Sequence, residues 1–428
     1  MPKASLQTLG CKVNQYETQA IQKSLEAAGF EIALPGETAD FVLINTCSVT
    51  SDAEAKSRAA VRKAKRQNPD AYVMATGCAA QMALNQERVM EGADFTLLNP
   101  EKLKALDHLK QLNPGLVNLA LAERSEELAP RRRARAALKV QDGCSLGCSY
   151  CSIPSTRPGL VSRPWKEVLA EAQELAESGC HEAVLTGVLV GSYGPESGSE
   201  GPDLPGLIRL LSQESGLARL RLSSIEPQQV GAELIALVEE GALVPHLHIP
   251  LQSGSVRVLR DMDRRYNPAE YLAVMERLRE RVPHVSISTD IMVGFPTEGE
   301  AEFEETLETS RQADFIKAHV FRFSPRWGTE ADPLGDPVHP ETKKVRAQTL
   351  SQLVESGAAK LAQKKVGQTL RLILEMKKDR DGYWEGLSDC GFSVKVEGPD
   401  GLGGSLVWAE VSESSGVTLS GRLTSAPR

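Results

Sequence analysis

Three segments near the N-terminus that read as β-strands are each followed by a cysteine. The first strand pattern of the chain leads to Cys11, the apolar run 41–44 leads to Cys47, and the run 72–75 leads to Cys78. Helical patterns lie between them, and strands alternating with helices of about 10 to 15 residues predict a parallel sheet. Because ligands of such sheets bind outside the carboxyl ends of the strands, we expect the three thiols to meet at one edge. One such thiol would be ordinary packing, whereas three in this phase predict a three-thiolate site.

Length and charge limit the remaining possibilities. A chain of 428 residues is too long for one hydrophobic core and predicts two or three domains. Its net charge of −8 gives no overall signature of polyanion binding, so a nucleic acid would have to bind local basic patches. No apolar run approaches the roughly 20 residues that span a bilayer, and the N-terminus lacks a signal-peptide core. We therefore expect no membrane association and a cytoplasmic protein, in which cysteines bind metal or do redox work rather than form disulfides.

The chain divides into three parts by pattern. Residues 1–112 predict the N-terminal α/β domain, and residues 130–366 repeat strand and helix six times, which predicts a parallel sheet curved into a partial (βα)6 barrel. Residues 367–428 have short β segments between turn residues, typical of a small antiparallel β-barrel of the kind that often holds nucleic acid. The predicted strands of the central barrel are 138–141, 183–186, 219–223, 246–250, 286–293 and 316–321.

A basic cluster precedes the central barrel. It consists of Arg131, Arg132, Arg133 and Arg135. A solvated charge run and a contact with phosphate groups are equally compatible with it.

A second group of cysteines lies just beyond the first strand of the central barrel. Cys144, Cys148 and Cys151 have the spacing C-x3-C-x2-C, and the next histidine in the sequence, His181, lies beyond a helical pattern. Structural zinc takes four ligands and usually pairs its cysteines as C-x2-C, so it fits this loop poorly. Three thiolates in one loop favour an iron–sulfur cluster with one open iron, at which a small molecule can bind.

This spacing after the first strand of a partial barrel resembles the radical S-adenosylmethionine (SAM) superfamily. Over nearly its whole length the chain resembles the radical SAM methylthiotransferases, which combine a three-cysteine domain, a radical SAM barrel and a C-terminal barrel of TRAM type. The strings LGCKVNQYET, NTCSVTSDAEAKSR and HLHIPLQSGS resemble the MtaB-type branch, which acts on N6-threonylcarbamoyladenosine in tRNA. The isopentenyladenosine branch, with a GCQMN-like string, is the alternative. A different class, a non-catalytic RNA-binding metalloprotein with two structural cysteine sites, is the rival reading.

The resemblance implies a reaction and its cofactors. Cys144, Cys148 and Cys151 would hold a 4Fe–4S cluster that binds SAM and generates a radical, which removes hydrogen from C2 of the target adenine. Cys11, Cys47 and Cys78 would hold a second 4Fe–4S cluster that carries the sulfur, and a second SAM would supply the methyl group. The product would be the 2-methylthio derivative of the modified adenosine next to the anticodon. The implied partners are tRNA, an electron donor such as flavodoxin or ferredoxin, and a sulfur donor.

The resemblance also implies contacts with SAM at the strand ends of the central barrel. The expected residues are Tyr150, Thr186, Gly187, Ser223, Ser224, Glu226, Gln252, Ser253, Asp290 and Gly294. Gly294 is expected to let the backbone approach the adenine base. Thr297 and Glu298 are interpreted as caps of the following helix. Cys180 and Cys390 have no expected role, and Arg157 stands before a proline where the family often has an Arg-Gly pair.

Overall fold

The structure, a computed structural model, describes residues 1–34, 36–122, 133–195 and 201–426. Its N-terminal unit contains five strands and five α-helices, with a 3-10 helix over Asn99–Lys104. In chain order these elements are β1 Lys3–Thr8, α1 Lys12–Ala27, β2 Glu31–Ile32, β3 Phe41–Thr46, α2 Ser51–Gln67, β4 Tyr72–Gly77, α3 Cys78–Asn85, β5 Phe95–Thr96, α4 Ala105–Leu112 and α5 Pro114–Ala122.

The strands of the N-terminal unit form one parallel sheet with the order β2-β1-β3-β4-β5. Every residue of β3 is buried, because helices cover both faces of the sheet and form a separate apolar cluster on each. The Thr50 hydroxyl caps α2 by accepting from the backbone N–H of Ala53. Strands β1, β3 and β4 are neighbours, so their carboxyl ends lie side by side at one edge.

The central unit alternates strands and helices. Its elements are β6 Arg135–Lys139, β7 Gln141–Asp142, α6 Ile153–Thr156, β8 Val161–Ser162, α7 Trp165–Glu177, β9 Glu182–Thr186, α8 Leu204–Glu214, β10 Arg219–Leu222, α9 Ala232–Glu239, β11 His246–His248, α10 Val256–Asp261, α11 Pro268–Arg281, β12 Ser286–Val293, α12 Glu300–Ala313, β13 Lys317–Arg322 and α13 Pro340–Gln363. Short 3-10 helices cover Val190–Ser192, Pro227–Gln229 and Asp332–Leu334.

Six parallel strands of the central unit curve into a partial barrel. Strands β6, β9 and β10 form one sheet and β11, β12 and β13 form another. The two sheets meet where the Ile225 N–H donates to the carbonyl of His248 at 2.9 Å. Strands β6 and β13 are not paired with each other, so the barrel is open on that side. The N-terminal unit lies across this opening, since α1 packs beside β6 and Glu54 of α2 pairs with Arg326, beyond β13, at 2.9 Å.

The C-terminal unit is a closed barrel with the strand order β14-β15-β16-β18-β17. Its strands are β14 Thr369–Leu374, β15 Trp384–Ser388, β16 Ser393–Val396, β17 Leu406–Ser415 and β18 Thr418–Thr424. The turn between β15 and β16 reaches the amino ends of the central strands, where Arg221 donates to the carbonyl of Ser388 at 3.0 Å. This turn therefore covers the bottom of the partial barrel.

The predicted fold class is confirmed: a parallel α/β unit, a partial parallel barrel and a small antiparallel barrel follow one another. The first central strand was predicted at 138–141 but lies at 135–139. The strand ends early because residues 141–142 leave this sheet and pair antiparallel with β8. The domain limits stay predictions, and residue 130 lies outside the described residues, as do Arg131 and Arg132. None of the described helices is long and apolar enough to cross a membrane.

Candidate active site between two cysteine groups

Cys11, Cys47 and Cys78, here called the auxiliary cysteines, lie at the shared carboxyl edge of β1, β3 and β4. Cys11 precedes α1, Cys47 follows β3 directly, and Cys78 begins α3 directly after β4. Gly10 has a positive φ of 98°, and a Cβ atom there would lie 2.6 Å from Sγ of Cys47. Only glycine fits this position, because the chain before Cys11 passes against the Cys47 thiol.

The auxiliary cysteines are electrostatically coupled. Cys47 and Cys78 are buried, whereas Cys11 is open to solvent on one side. Loss of solvent, together with the neighbouring thiols of Cys78 and Cys11, raises the pKa of the Cys47 thiol to about 11. Burial also raises the pKa of Cys11, against the lowering effect of the Arg157 guanidinium. Buried thiolates packed this closely need a cationic ligand.

Cys144, Cys148 and Cys151, here called the radical-site cysteines, share the loop between β7 and α6. The loop is fixed at Ser149, whose hydroxyl donates to the carbonyl of Asp261 at 2.8 Å. Burial raises the pKa of Cys151 to about 12, and the thiols of Cys148 and Cys144 add to this effect. The N–H of Leu146 donates to Sγ of Cys144 at 3.4 Å, as backbone amides do around iron–sulfur clusters.

Arg264 links the radical-site loop to a predicted SAM-binding residue. Its guanidinium donates to Sγ of Cys148 at 3.2 Å, forms an ion pair with Glu226, and lies 5.1 Å from the ring centre of Tyr266. The sequence reasoning missed this residue. Burial raises the pKa of Glu226, and the attraction of Arg264 opposes that shift. A positive charge beside a thiolate stabilises the thiolate, so Arg264 is suited to support a cluster at Cys148.

The elements that carry the two cysteine groups touch each other directly. Helix α3, which begins at Cys78, packs against α6, which begins two residues after Cys151. Asn85 donates to the carbonyl of Ser155 at 3.0 Å, and Asn99 donates to the carbonyl of Thr156 at 2.7 Å. The same Asn99 amide lies 3.9 Å from Sγ of Cys78. The elements that carry the two cysteine groups are therefore joined by direct hydrogen bonds.

A buried ionic network joins the N-terminal unit to the central barrel. The Glu17 carboxylate, 2% exposed, accepts from Lys102 at 2.7 Å, from Lys139 at 2.6 Å and from Arg157 at 2.8 Å. Asp142 accepts from Lys139 at 2.6 Å and from Arg157 at 2.7 Å. Burial alone would raise the pKa of Glu17, but the Arg157 hydrogen bonds and the neighbouring cations hold it well below its usual range. Three cations face two carboxylates in this interface.

Two asparagines complete the network beside the auxiliary cysteines. Asn14 accepts from Arg157 at 2.9 Å and donates to the carbonyls of Leu9 and Thr46, each at 2.9 Å. Asn45 donates to the carbonyl of Asn14 at 3.0 Å. Arg157, noted in the sequence only for the proline after it, is thus a bridge between the two units. The sequence also contained a sign that Glu17 is buried and paired. It lies on the same face of α1 as the buried apolar residues of that helix.

The predicted SAM-binding residues around β9 and β10 lie at the carboxyl ends of those strands. Thr186 is buried at the end of β9, and a Cβ atom on Gly187 would meet the Gln141 side chain at 2.8 Å. Ser223 and Ser224 follow β10. Oγ of Ser223 is buried without a hydrogen-bond partner among the described residues. Such an orphaned hydroxyl fits a site for a polar ligand.

The predicted residues around β11 and β12 differ in what their side chains contact. Gln252 has a positive φ of 59°, and its backbone is held by Asp290 and Met292. A left-handed non-glycine residue of this kind is common at ligand sites. The hydroxyl of Ser253 lies 3.3 Å from that of Thr306 in α12, so it serves the loop itself. Tyr150 is half-buried in the cluster loop, where burial raises its pKa well above the usual value.

Asp290 is held between two histidines inside the partial barrel. Its carboxylate lies 3.2 Å from Nε2 of His248 and 3.3 Å from Nδ1 of His319. The rings of these histidines are 5.7 Å apart. Burial alone would raise the pKa of Asp290, but the two histidines lower it below the usual range. The Asp290 carboxylate therefore already lies against two side chains of the barrel interior.

The turn after β12 differs from its interpretation. A Cβ atom on Gly294, whose φ is 74°, would lie 2.3 Å from Cγ of Lys343, so the glycine is required by the protein itself. The interpretation of Glu298 as a helix cap is wrong. The N-cap of α12 is Gly299, whose N–H donates to the Glu302 side chain at 2.8 Å, while the buried Glu298 accepts from the Gly294 N–H at 2.8 Å and from Arg346 at 2.7 Å. Oγ1 of Thr297 is buried without a partner among the described residues.

The remaining sequence features lie away from the cysteine groups. Cys180 and Cys390 are buried thiols, at the amino end of the central barrel and in the C-terminal barrel. Arg133 forms a hydrogen bond with Gln19, and Arg135 pairs with Glu375 at 2.6 Å. Both described arginines of the basic cluster are thus engaged within the protein.

The donor chemistry around the radical-site cysteines suits a four-iron cluster, which three thiolates of one loop can hold with one iron left open. The supporting observations are the N–H groups aimed at sulfur, the Arg264 charge and the orphaned Ser223 hydroxyl.

A cleft of about 650 Å³ opens beside the auxiliary cysteines. Gly10 and Thr50 line it from the N-terminal unit, and Phe321, Arg322 and Lys343 line it from the central unit. The cleft lies between the two units, on the side where the partial barrel is open.

Comparisons with known proteins agree with this arrangement. The family described as "Radical SAM superfamily" matches residues 138–309, and "Uncharacterized protein family UPF0004" matches residues 3–97. The solved structure of a radical S-adenosylmethionine methyltransferase, TsrM, from Kitasatospora setae has a TM-score of 0.55 at 14% identity. It covers 75% of this chain and 73% of that chain, which indicates a shared fold.

Two relatives match over nearly the whole length. The "Threonylcarbamoyladenosine tRNA methylthiotransferase MtaB" of Bacillus subtilis is 35% identical over 424 residues, which cover 96% of this chain and 94% of that protein. The "tRNA-2-methylthio-N(6)-dimethylallyladenosine synthase" of Erythrobacter litoralis is 32% identical, with 98% and 96% covered. The family and the enzyme class predicted from the motifs are thereby confirmed. The chain belongs to the radical SAM methylthiotransferase family, a family of transferases whose fold binds SAM beside a 4Fe–4S cluster.

Proposed function

We propose that this enzyme inserts a methylthio group at C2 of N6-threonylcarbamoyladenosine next to the anticodon of tRNA. The observation that carries the proposal is the direct contact between α3, which begins at Cys78, and α6, which follows Cys151. A reaction that joins carbon-radical chemistry to sulfur delivery needs both centres at one substrate atom, because effective concentration depends on fixed geometry. Two separate structural sites would have no need of this contact.

Each group of residues has a part in the proposed reaction. The radical-site cysteines would hold one 4Fe–4S cluster, and the auxiliary cysteines a second that carries sulfur. When bound, the first cluster would cleave one SAM reductively, the second cluster would provide the sulfur, and a second SAM per turnover would provide the methyl group. Ser223 and Ser224 are placed to donate to hydroxyl or carboxylate oxygens of SAM. Arg264 would neutralise charge at Cys148 and hold Glu226 in place.

The choice of substrate rests on the relatives and on the charge of the barrel interior. The relative with 35% identity carries the threonylcarbamoyladenosine name, while a relative with 32% identity carries the dimethylallyladenosine name. The threonylcarbamoyl group bears a carboxylate, whereas the dimethylallyl (isopentenyl) group is apolar. The interior strands carry His246, His248, Lys317 and His319, an interior that suits an anion better than a hydrocarbon.

The proposed partners follow from this reaction. Flavodoxin or ferredoxin would supply the electron, and a separate protein or small molecule would supply the sulfur. The cytoplasm is the proposed compartment. The cleft beside Gly10 is the proposed entry for the anticodon loop, because it lies on the open side of the barrel.

The experiment offers the anaerobic enzyme two synthetic anticodon stem-loops in one reaction. One carries N6-threonylcarbamoyladenosine and the other N6-isopentenyladenosine, with SAM and a chemical reductant present. We expect methylthiolation of the threonylcarbamoyl substrate at least tenfold faster, measured by mass spectrometry of the nucleosides. Faster modification of the isopentenyl substrate would contradict the substrate assignment, and failure to modify either would contradict the proposed activity.

A further inference from the structure

Two lysines lie on the elements that border the opening of the partial barrel, one on α1 beside β6 and one on β13. Lys12 begins α1, next to Cys11, and lies within electrostatic reach of Arg221, Arg135 and Lys317. Lys317 begins β13, and both lysines lie within electrostatic reach of His246. Both side chains are accessible to water. They therefore lie around the same interior space, on the side that the N-terminal unit covers.

Neither lysine has an ion-pair partner: among the described residues, no salt bridge or hydrogen bond joins Lys12 or Lys317 to another group. The Glu182 carboxylate attracts Lys12 electrostatically without pairing with it. The acidic groups nearby are already engaged. Glu182 accepts from Arg221 at 3.2 Å, and the Asp290 carboxylate is shared between His248 and His319.

Unpaired like charges in a confined space are unfavourable, because each raises the potential felt by the other. The arrangement becomes favourable when an anion binds between them. We propose that Lys12 and Lys317 bind the carboxylate of the substrate's N6 substituent and so determine which modified adenosine the enzyme accepts. This inference rests on the proposed function and names the residues that read the substrate.

The positions of the lysines favour the substrate over SAM as the source of this carboxylate. Lys317 begins β13, so it lies toward the amino ends of the barrel strands, whereas the radical-site loop follows the carboxyl end of β6 and β7. Lys12 is the residue after Cys11, so its backbone adjoins the proposed sulfur-delivery site while its side chain lies within electrostatic reach of Lys317. The modified carbon and the N6 substituent belong to one adenine ring. A carboxylate held beside the sulfur site therefore orients that ring for attack at C2.

The test measures selectivity with Lys317→Gln and Lys12→Gln. The substrates are stem-loops with N6-threonylcarbamoyladenosine, its methyl ester and N6-isopentenyladenosine. Loss of one charged hydrogen bond predicts a fall in kcat/KM of roughly 10- to 100-fold on the free carboxylate for either variant. With the wild-type enzyme, kcat/KM on the methyl ester should be lower than on the free carboxylate by the same factor. The variants should not lower kcat/KM on the ester any further. Binding of each stem-loop to the cluster-loaded protein without SAM should follow the same pattern.

The controls separate this proposal from its premise. Lys23→Gln changes an exposed lysine of the same helix and should leave all rates unchanged. If the wild-type enzyme ignores the threonylcarbamoyl stem-loop, the proposed function fails whatever the lysines do. Suppose instead that the wild-type enzyme accepts that substrate. If Lys317→Gln then prefers the free carboxylate over its methyl ester by the same factor in kcat/KM as the wild type does, the carboxylate contact is refuted. A variant that lowers SAM affinity without changing substrate preference would assign the lysines to SAM and overturn the proposal.

Discussion

Replacing Glu17 by Gln should destabilise the contact between the N-terminal unit and the central barrel. The carboxylate accepts from three cations, Lys102, Lys139 and Arg157, at distances of 2.6 to 2.8 Å, and 2% of it is exposed. The amide keeps the size of the side chain but removes one of the two negative charges in the network. Three buried cations would then face the Asp142 carboxylate alone.

The size of the effect follows from the burial of these groups. Removing one partner of a buried ion pair generally costs about 3–5 kcal/mol, because the remaining charge is left without compensation. For large domains, roughly 1 kcal/mol lowers Tm by about 2–4 °C. We therefore expect Glu17→Gln to lower the Tm of the first unfolding transition by roughly 6–20 °C.

The assay is differential scanning calorimetry of the anaerobic protein, with Glu26→Gln as the matched control. Glu26 lies on the same helix, is partly exposed and, within the described part of the chain, its carboxylate accepts from Gln22 alone. Its substitution should lower Tm by no more than about 2 °C, as surface changes do. Equal Tm values for the two variants would refute the view that the Glu17 network holds the units together.

The pH dependence gives an independent check of the same network. The folded protein holds the pKa of Glu17 below its usual range, so this stabilisation is complete above the unfolded value of about 4.3. It should be lost progressively as pH falls below that value toward the folded pKa. Glu17→Gln removes this titration, so the stability difference between the wild type and the variant should shrink in acid. A difference that stays constant from pH 7 to pH 3 would contradict the assigned charge state.

Three further predictions concern the cysteine groups. Replacing all radical-site cysteines by Ala should abolish production of 5′-deoxyadenosine from SAM, and retained production, measured by chromatography, would contradict the assignment. Replacing all auxiliary cysteines by Ala should keep SAM cleavage, lower the iron content by about half and abolish the methylthio product. Wild-type product formation by this variant would refute the sulfur-delivery role. Arg264→Gln should shift the reduction potential of the cluster to more negative values, because a positive charge beside Cys148 is lost. An unchanged potential in an EPR-monitored titration would exclude that influence.

The position of each auxiliary cysteine after a strand could be predicted from the sequence, because the end of a strand depends on local residues. Cys11, Cys47 and Cys78 each follow a strand with its own apolar pattern, and parallel pairing brings those ends to one edge. The spacing of Cys144, Cys148 and Cys151 within one loop was equally local. These patterns sufficed for the fold class and for both cysteine groups.

The contacts between the N-terminal unit and the central unit could not be predicted from the sequence, because the residues that form them are far apart in the chain. Lys102 and Arg157 pair with Glu17 across 85 and 140 residues, and no local period links them. Arg264 reaches Cys148 from the loop after α10, and Lys317 reaches the same interior as Lys12 only because α1 covers the open side of the barrel. Glu298 was interpreted as a helix cap because it precedes a helix. Its side chain instead forms an ion pair with the buried Arg346, which needs a carboxylate partner.

The central claim, sulfur insertion into threonylcarbamoyladenosine by two cooperating cysteine groups, is tested most directly in the tRNA of a strain that lacks the gene. Mass spectrometry of the nucleosides should show N6-threonylcarbamoyladenosine in place of its 2-methylthio derivative. The wild-type gene should restore that derivative, whereas the gene with all auxiliary cysteines changed to Ala should not. Loss of the 2-methylthio derivative of isopentenyladenosine instead, or restoration by the auxiliary-cysteine variant, would contradict the account.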